Sequence, residues 1–313
     1  MWSSTNGWNE SSIPDQTGKV VIVTGGNSGI GWQAARALAD HGATVVLACR
    51  SAARGAEAAD KLKAFVPDAK VDVQPLDLAS LASVRAFAES FLRSYERLDV
   101  LCNNAGVMAI PRQTTAEGFE MQLGTNHLGH FALTGLLFES LKKTEHSRVV
   151  NVSSLAHGMG RMSWDDLQGE RSYSKWPAYG QSKLANLLFT YELQRRVSAK
   201  KIDVAAIACH PGYAATNLQF VGPRQEGSKL MEKLSRWANN NVAQSAEMGA
   251  LPTLFAAVSN GARGGDFIGP SGFNALWGPP VIVEPRPHAR NADDARKLWE
   301  VSVELTNVDF GGL

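Results

Sequence analysis

The chain has 313 residues, 44% of them hydrophobic and 19% charged, so it is long enough and apolar enough to bury a sizeable core. Its 31 basic and 30 acidic residues give a formal net charge of +1, and nothing in this balance favours binding to nucleic acid or to an anionic membrane surface. No run of about 18 apolar residues occurs, so no membrane-spanning helix is predicted.

The N-terminal stretch, residues 1–13, is polar and has neither a basic start nor an apolar run, so it is predicted to be neither a signal peptide nor a membrane anchor. Residues 14–313 contain no repeat and no low-complexity linker, and they are predicted to form one domain. Cys49, Cys102 and Cys209 each lie in a predicted buried strand, where reduced cysteines pack as small apolar groups. These features together predict a cytoplasmic protein.

The first predicted strand, Lys19 to Thr24, runs into a glycine-rich turn and then a helix that stops at Gly42. A short β-branched run of this kind is typical of a strand buried on both faces. Backbone N–H groups at a helix N-terminus bind phosphate, and glycines let the backbone approach it. The spacing differs from the G-x-G-x-x-G fingerprint, but the mechanics are the same. The predicted cradle comprises Gly25, Asn27, Ser28, Gly29, Ile30 and Gly31.

The second predicted strand, Thr44 to Cys49, is followed directly by Arg50. In dinucleotide-binding folds an acid near this point binds the ribose 2′-hydroxyl, whereas an arginine accommodates a 2′-phosphate. No acid occurs here before Glu57, so Arg50 indicates NADP(H) as the preferred cofactor, with NAD(H) as the alternative. The competing interpretation is a solvated arginine at the end of a strand.

Two further predicted strands are Val71 to Gln74, which leads to Asp77 and Leu78, and Asp99 to Asn103, which runs into small and amide residues. In open α/β sheets the ligand crevice lies at the carboxyl ends of the strands, so such residues suit a cofactor cleft. An ordinary Asn-rich turn is the alternative for the second of them. The residues that follow these two strands are Asp77, Leu78, Asn104, Ala105 and Gly106.

Glu117 to Lys143 is predicted as one long helix that carries Asn126, His127 and His130. The two histidines could suggest a metal site. No carboxylate or cysteine joins them at ligand spacing, so packing or surface roles are favoured and no metal site is predicted.

The fifth predicted strand, Arg148 to Val152, ends in Ser153 and Ser154, and a helix carrying Tyr179 and Lys183 follows. Residues four apart on a helix project from one face. A lysine ammonium beside a phenol favours the phenolate, so Lys183 is predicted to lower the Tyr179 pKa from its reference value of about 10. Such a pair can act as an acid/base on a carbonyl oxygen or an alcohol. Taken alone, this spacing fits ordinary amphipathic helix positions better.

The sixth predicted strand, Asp203 to Cys209, is followed by Pro211, Gly212 and Thr216, and Phe267 with Ile268 is predicted as the last strand. Alternating strands and helices of this kind specify a parallel, doubly wound sheet. The predicted fold class is therefore α/β: a single-domain Rossmann fold with about seven strands and helices on both faces.

These motifs, in this order, resemble the short-chain dehydrogenase/reductase family from about Pro14 to the C-terminus, and within it the retinol dehydrogenase and protochlorophyllide reductase branch. The resemblance implies that Tyr179 is the general acid/base and that Lys183 lowers its pKa and holds the nicotinamide ribose. It also implies that Ser154 polarises the substrate oxygen and that Asn126 completes a proton relay through water. The narrower match is carried by LACR at 47–50, NHLGHF at 126–131, YGQSKLAN at 179–186 and HPG at 210–212.

The same resemblance implies a cofactor site and an activity. Gly26 stands where the branch commonly has alanine, and Trp32 follows the last loop glycine, which affects the expected packing beneath the pyrophosphate.

The implied activity is NADP(H)-dependent hydride transfer between nicotinamide and a carbonyl or alcohol; reduction of an activated C=C bond and a cofactor-sensing protein without turnover are the alternatives. Relatives are often dimers or tetramers, although no motif here defines an interface of a homo-oligomer. The implied cofactor contacts are Asp77 and Leu78 at the adenine, Asn104, Ala105 and Gly106 in the cleft, and Pro211, Gly212 and Thr216 by the nicotinamide.

Residues 216–243 are predicted to form a substrate lid, because long segments between core elements often cover sites. Within them, Glu226 to Trp237 can form an amphipathic helix whose apolar face either closes over the site or packs on the domain as core. As a lid, this face would join Trp164 and Trp176 in an apolar pocket above Tyr179. Such a pocket favours a bulky, hydrophobic small-molecule substrate.

Overall fold

The computed structural model describes residues 7–214 and 244–313; Thr216 and the predicted lid at 216–243 lie outside the described residues. Eight strands form one sheet in the order β3-β2-β1-β4-β5-β6-β7-β8. The neighbours from β3 to β7 are parallel, and β8 pairs antiparallel with β7. The strands are β1 Val20–Thr24, β2 Thr44–Cys49, β3 Lys70–Pro75, β4 Val100–Asn103, β5 Ser147–Val152, β6 Val204–Cys209, β7 Phe267–Pro270 and β8 Pro280–Ile282.

Helices cover both faces of this sheet, as the alternating pattern predicts. One core cluster joins α1, α2 and α7 to the sheet, and α3, α5, α6 and α8 pack against the opposite face. The predicted α/β, doubly wound Rossmann fold is confirmed. The helices are α1 Gly29–Asp40, α2 Ala52–Phe65, α3 Leu81–Ser94, α4 Met121–Leu123, α5 Gly129–Lys143, α6 Lys175–Ala199, α7 Ala246–Val258 and α8 Ala292–Thr306.

The central strand β1 defines where a ligand can enter. All five of its residues are buried, and it lies between β2 and β4, where the strand order reverses. In doubly wound sheets such a switch point leaves a crevice outside the carboxyl ends of the strands. The turns that follow β1, β4 and β5 all open at this edge.

The helix predicted from Glu117 to Lys143 begins later and is not uniformly α-helical. Glu120 caps it, because its carboxylate accepts the N–H groups of Gln122 at 2.9 Å and Leu123 at 2.7 Å. After α4, residues Gly124–Leu128 form a π-helical segment, and α5 follows directly. Such π-helical turns occur frequently at functional sites.

Both histidines of this helix are buried, so of the packing and surface roles predicted for them the structure shows packing. His127 is 1% and His130 is 2% exposed. Burial lowers the pKa of His127 to about 3 and that of His130 to about 4, so both rings are neutral at ordinary pH. Across residues 7–214 and 244–313, no group of three or more metal-ligating side chains comes together.

The described part of the N-terminal stretch packs on the domain. The Trp8 ring meets the Phe255 ring of α7 edge-on at 5.3 Å, and Ile13 is 5% exposed. The three cysteines are free and buried, as predicted. None of the described helices combines the length and apolarity needed to cross a bilayer.

Candidate active site

The glycine turn between β1 and α1 takes a conformation that needs glycine. Gly25 and Gly29 have φ angles of +66° and +55°, a region that residues with a side chain rarely adopt. A Cβ at Gly31 would collide with the Asn104 amide nitrogen and the Gly25 carbonyl oxygen. Gly31 therefore allows close packing of the turn against β4. The turn remains accessible, since Asn27 is partly exposed and the Ser28 side chain makes no capping bond to α1.

Asn104 and Ala105 are held to the end of β1 by Thr24. The Thr24 hydroxyl oxygen accepts the backbone N–H groups of both residues at 2.9 Å. The Asn104 side chain donates back to the Thr24 carbonyl oxygen at 2.8 Å. Asn104 thus stabilises the turn that lines the predicted cofactor cleft by bonding to the end of β1. Sequence reasoning missed Thr24, whose position as the last residue before the glycine turn is the signal that could have found it.

Ser154, Tyr179 and Lys183 come together at the carboxyl end of β5. The Ser154 side chain faces the Tyr179 phenol and favours its ionised form, which lowers the Tyr179 pKa. The Lys183 ammonium lies 5.9 Å from the centre of the Tyr179 ring and donates to the Val152 carbonyl oxygen at 3.0 Å. A hydroxyl, a phenol and an ammonium therefore face one region, which is the arrangement predicted from the motifs.

The neighbouring serine has a different environment. Ser153 is 2% exposed, and its hydroxyl donates to the Lys183 carbonyl oxygen at 2.8 Å. It therefore fixes α6 against β5. Ser154, the serine to which the family resemblance gives a role, is the member of the pair that faces the Tyr179 phenol.

Asn126 lies in the π-helical segment and clamps the turn after β4. Its amide oxygen accepts the Val107 N–H at 2.8 Å, and its amide nitrogen donates to the Val107 carbonyl and the Ser182 hydroxyl, each at 2.9 Å. A Cβ at Gly106 would come 2.8 Å from the Asn126 amide oxygen and 3.6 Å from Lys183 Nζ. Gly106 therefore leaves open a space that both groups face.

The predicted lowering of the Tyr179 pKa is wrong for this structure. Tyr179 is 5% exposed, and burial raises its pKa to about 12. Burial also lowers the pKa of Lys183 to about 8. A buried site disfavours the charged form of each group, and for Tyr179 this effect outweighs the opposing effect of the Ser154 side chain, which lowers the pKa. At neutral pH Tyr179 is therefore a protonated phenol, ready to donate.

The residues predicted to meet the adenosine half of a cofactor flank the same crevice. Arg50 is exposed directly after β2. The Asp77 carboxylate accepts the Ala79 N–H at 3.0 Å, which orders the turn after β3. Leu78 is 6% exposed and packs on Gly129 of α5.

The turn after β6 also needs glycine. Gly212 has a φ of +65°, and a Cβ there would collide with the Leu276 carbonyl oxygen. The Pro211 carbonyl oxygen accepts from the Gln244 side chain at 2.7 Å. The predicted Pro211–Gly212 contact thus lies on a tightly defined turn.

The three tryptophans singled out in the sequence have separate surroundings. Trp32 faces α2, where its indole N–H donates to the Ala58 carbonyl at 3.0 Å, so it does not lie beneath the pyrophosphate turn. Trp164 donates its indole N–H to Asp294 of α8 at 2.9 Å, and the pocket predicted for it depends on the segment outside the described residues. Trp176 lies edge-on to Tyr179 at 6.3 Å and is 47% exposed. Only Trp176 of the three adjoins the tyrosine.

Comparisons with known proteins match this arrangement to one family. The model of the family described as short chain dehydrogenase matches residues 19–225. Retinol dehydrogenase 12 of Homo sapiens is 43% identical over 293 residues, covering 93% of this chain and 87% of that protein. Retinol dehydrogenase 13 of Homo sapiens is 41% identical over 296 residues, covering 93% and 86%. An uncharacterized protein from Mycobacterium paratuberculosis, known from its crystal structure, is 42% identical with a TM-score of 0.81, covering 97% of this chain and 99% of that one.

Proposed function

Because this chain belongs to the short-chain dehydrogenase family and is an NAD(P)-dependent oxidoreductase acting on alcohols and carbonyls, we propose that it interconverts an apolar carbonyl compound and its alcohol with NADP(H). The observation that carries this proposal is the convergence of Ser154, Tyr179 and Lys183 beside the glycine turn. A protein that only sensed the cofactor would have no physical need for a phenol placed to transfer a proton.

The protein's own part in the reaction is proton transfer and positioning. A nicotinamide cofactor supplies the hydride in the reducing direction. Tyr179, protonated at neutral pH, donates its proton to the carbonyl oxygen as the alkoxide develops. The Ser154 hydroxyl bonds the same oxygen and orients it, and the Lys183 ammonium stabilises the phenolate that remains. In the oxidising direction the same groups act in reverse order.

The residues at the crevice fit a dinucleotide phosphate. The glycine turn presents the N-terminus of α1, where backbone N–H groups favour an anion. Arg50 is exposed after β2, and an arginine at this point can accommodate a ribose 2′-phosphate. Asn126 and Lys183 both face Gly106, the side on which a nicotinamide ribose is expected. These features support NADP(H) as the cofactor.

Apolar side chains near Tyr179 support a hydrophobic substrate. Leu155, Met159 and Trp176 remain 39%, 57% and 47% exposed although they are large and apolar. Leu155 and Met159 belong to the short helix directly after Ser154, and Met159 packs on Gly180. An exposed apolar cluster beside a site marks a binding surface. The relatives named retinol dehydrogenases also point to an apolar alcohol or aldehyde.

We expect Trp176→Ala to raise the Michaelis constant about tenfold for a long-chain or polycyclic aldehyde and less than about twofold for a small one, because one aromatic ring contributes about 1.5–3 kcal/mol of apolar burial. Initial rates of NADPH oxidation across an aldehyde series measure this. Phe65→Ala is the matched control, since Phe65 is 65% exposed and ends α2 on the opposite face of the sheet. A uniform effect of Trp176→Ala on large and small aldehydes would contradict the proposed apolar contact.

The proposal as a whole is tested by a panel of aldehydes and ketones with NADPH and NADH compared in parallel. The expected result is steady consumption of NADPH that increases in efficiency with the apolar size of the carbonyl compound. A preference for small, charged keto acids would refute the substrate class and leave the enzyme class intact.

A further inference from the structure

We propose that His130 is a positioning residue for this site. Its buried ring joins the backbone of Asn126 to Thr24, and Thr24 holds the turn after β4 (residues 104–107, the cofactor-side turn). This inference rests on the proposed function. His130 packs inside the protein and takes no part in the transfer of hydride or proton.

Both ring nitrogens of His130 have one defined partner. Nδ1 lies 3.0 Å from the Asn126 carbonyl oxygen, and Nε2 lies 2.9 Å from the Thr24 hydroxyl. A carbonyl oxygen can only accept, so Nδ1 must carry the hydrogen. In the neutral ring Nε2 is then an acceptor, and the Thr24 hydroxyl donates to it. The bonds on the two sides of the ring therefore fix one tautomer and one orientation.

The Thr24 hydroxyl donates one hydrogen bond and accepts two in this arrangement. As it donates to His130, its oxygen accepts the N–H groups of Asn104 and Ala105, each at 2.9 Å. The other acceptor available to it, the Cys102 carbonyl, lies farther away at 3.3 Å. His130 thus orients the hydroxyl so that its lone pairs face the turn.

The bonds form a closed circuit around the cofactor-side turn. Asn126 grips Val107 with its side chain, at 2.8 Å and 2.9 Å, and is held through its own carbonyl by His130. The His130 ring accepts from the Thr24 hydroxyl, and the Thr24 hydroxyl oxygen accepts the N–H of Asn104, which belongs to the same turn. These hydrogen bonds attach the π-helical segment, which departs from the regular α-helical hydrogen-bond pattern, to the sheet.

His127 offers a matched comparison three residues earlier. It is 1% exposed, and its Nε2 lies 2.8 Å from the Ser302 hydroxyl on α8, away from the cofactor-side turn. Replacing either histidine with phenylalanine removes a buried hydrogen-bonding ring and keeps an aromatic of similar shape. A general packing role predicts equal consequences for the two variants. A positioning role predicts consequences for the site only at His130.

The test compares His130→Phe with His127→Phe by thermal unfolding, by calorimetric titration with NADPH, and by steady-state kinetics. We expect both variants to lower the melting temperature. Only His130→Phe should weaken NADPH binding, about fivefold or more, and lower kcat about tenfold or more while the substrate KM changes less than about threefold, because small misplacements of reacting groups reduce rates strongly. Equal kinetic effects of the two variants, or normal kcat and normal NADPH affinity in His130→Phe, would overturn the proposal.

Thr24→Val provides a second, independent variant, and it carries the test where His130→Phe does not fold. It keeps the shape of the side chain and removes the hydroxyl that His130 orients. We expect a loss of kcat similar to that of His130→Phe, and a double variant no worse than the single ones, since both break one circuit. Fully additive losses, or normal kcat in Thr24→Val, would count against the circuit. A wild-type protein that binds NADPH but reduces no carbonyl compound would instead refute the proposed function.

Discussion

Replacing Tyr179 with phenylalanine should lower turnover about 100-fold or more, while the Kd for NADPH changes by less than about threefold. The variant keeps the buried ring that packs between Ser154 and Trp176, and it removes only the hydroxyl that can donate a proton. Proton donation is then left to water. Steady-state kinetics with NADPH and a hydrophobic aldehyde, together with calorimetric titration of NADPH, measure both quantities.

Tyr191→Phe is the matched control for this experiment. Tyr191 lies on the same helix, and its hydroxyl is buried without a hydrogen-bond partner among the described residues, so its removal should leave turnover within about twofold of the wild type. Near-normal turnover in Tyr179→Phe would refute the assignment of the proton donor. It would favour a protein that senses the cofactor without turnover.

Arg50→Asp should erase or reverse a preference for NADP(H) over NAD(H). A charge-assisted contact from Arg50 to the 2′-phosphate can contribute about 1.5–3 kcal/mol, which corresponds to roughly a 10- to 150-fold preference in the wild type. An aspartate at the same exposed position repels the phosphate and can bind the ribose 2′-hydroxyl of NAD(H). Titration calorimetry with the two cofactors gives the two dissociation constants directly.

Arg93→Asp makes the same change of charge on the last turn of α3, which leads into the amino end of β4, whereas Arg50 follows the carboxyl end of β2. We expect it to leave the ratio of the two dissociation constants within about twofold of the wild type, since exposed charges this far apart are largely screened by salt. Equal affinity of the wild type for NADP(H) and NAD(H) would contradict the role assigned to Arg50.

Much of the fold could be predicted from the sequence because its central strands are short apolar runs: every residue of β1 and β4 is buried, and all but one residue in each of β2, β5 and β6. β2 begins and ends at the predicted residues, and β1, β4, β5 and β6 begin within one residue of the prediction. β8 was not predicted, because Pro280–Ile282 is only three residues long and begins with proline. Its existence depends on pairing with β7, a contact that no local pattern encodes.

The locations of the glycine turn, Asn104 and Ser154 were also predictable, because each follows a strand whose carboxyl end lies at one edge of a parallel sheet. Tyr179 and Lys183 could be assigned to one helix because they are four residues apart. What the sequence could not show is how deeply the side chains are buried. Spacing alone suggested that Lys183 lowers the pKa of Tyr179, whereas burial of both groups reverses the direction. The π-helical turn around Asn126 was missed for a similar reason, since the apolar pattern of the helix continues through it.

The most direct test of the account is the product formed from an α,β-unsaturated aldehyde such as cinnamaldehyde with NADPH and the purified wild-type protein. The proposed chemistry delivers the proton of Tyr179 to the carbonyl oxygen, so the expected product is the allylic alcohol, formed in equal amount to the NADPH consumed. Recovery of the saturated aldehyde would show that the C=C bond is the site of reduction. Binding of NADPH without any product from this aldehyde or from the wider carbonyl panel would contradict the proposed activity itself.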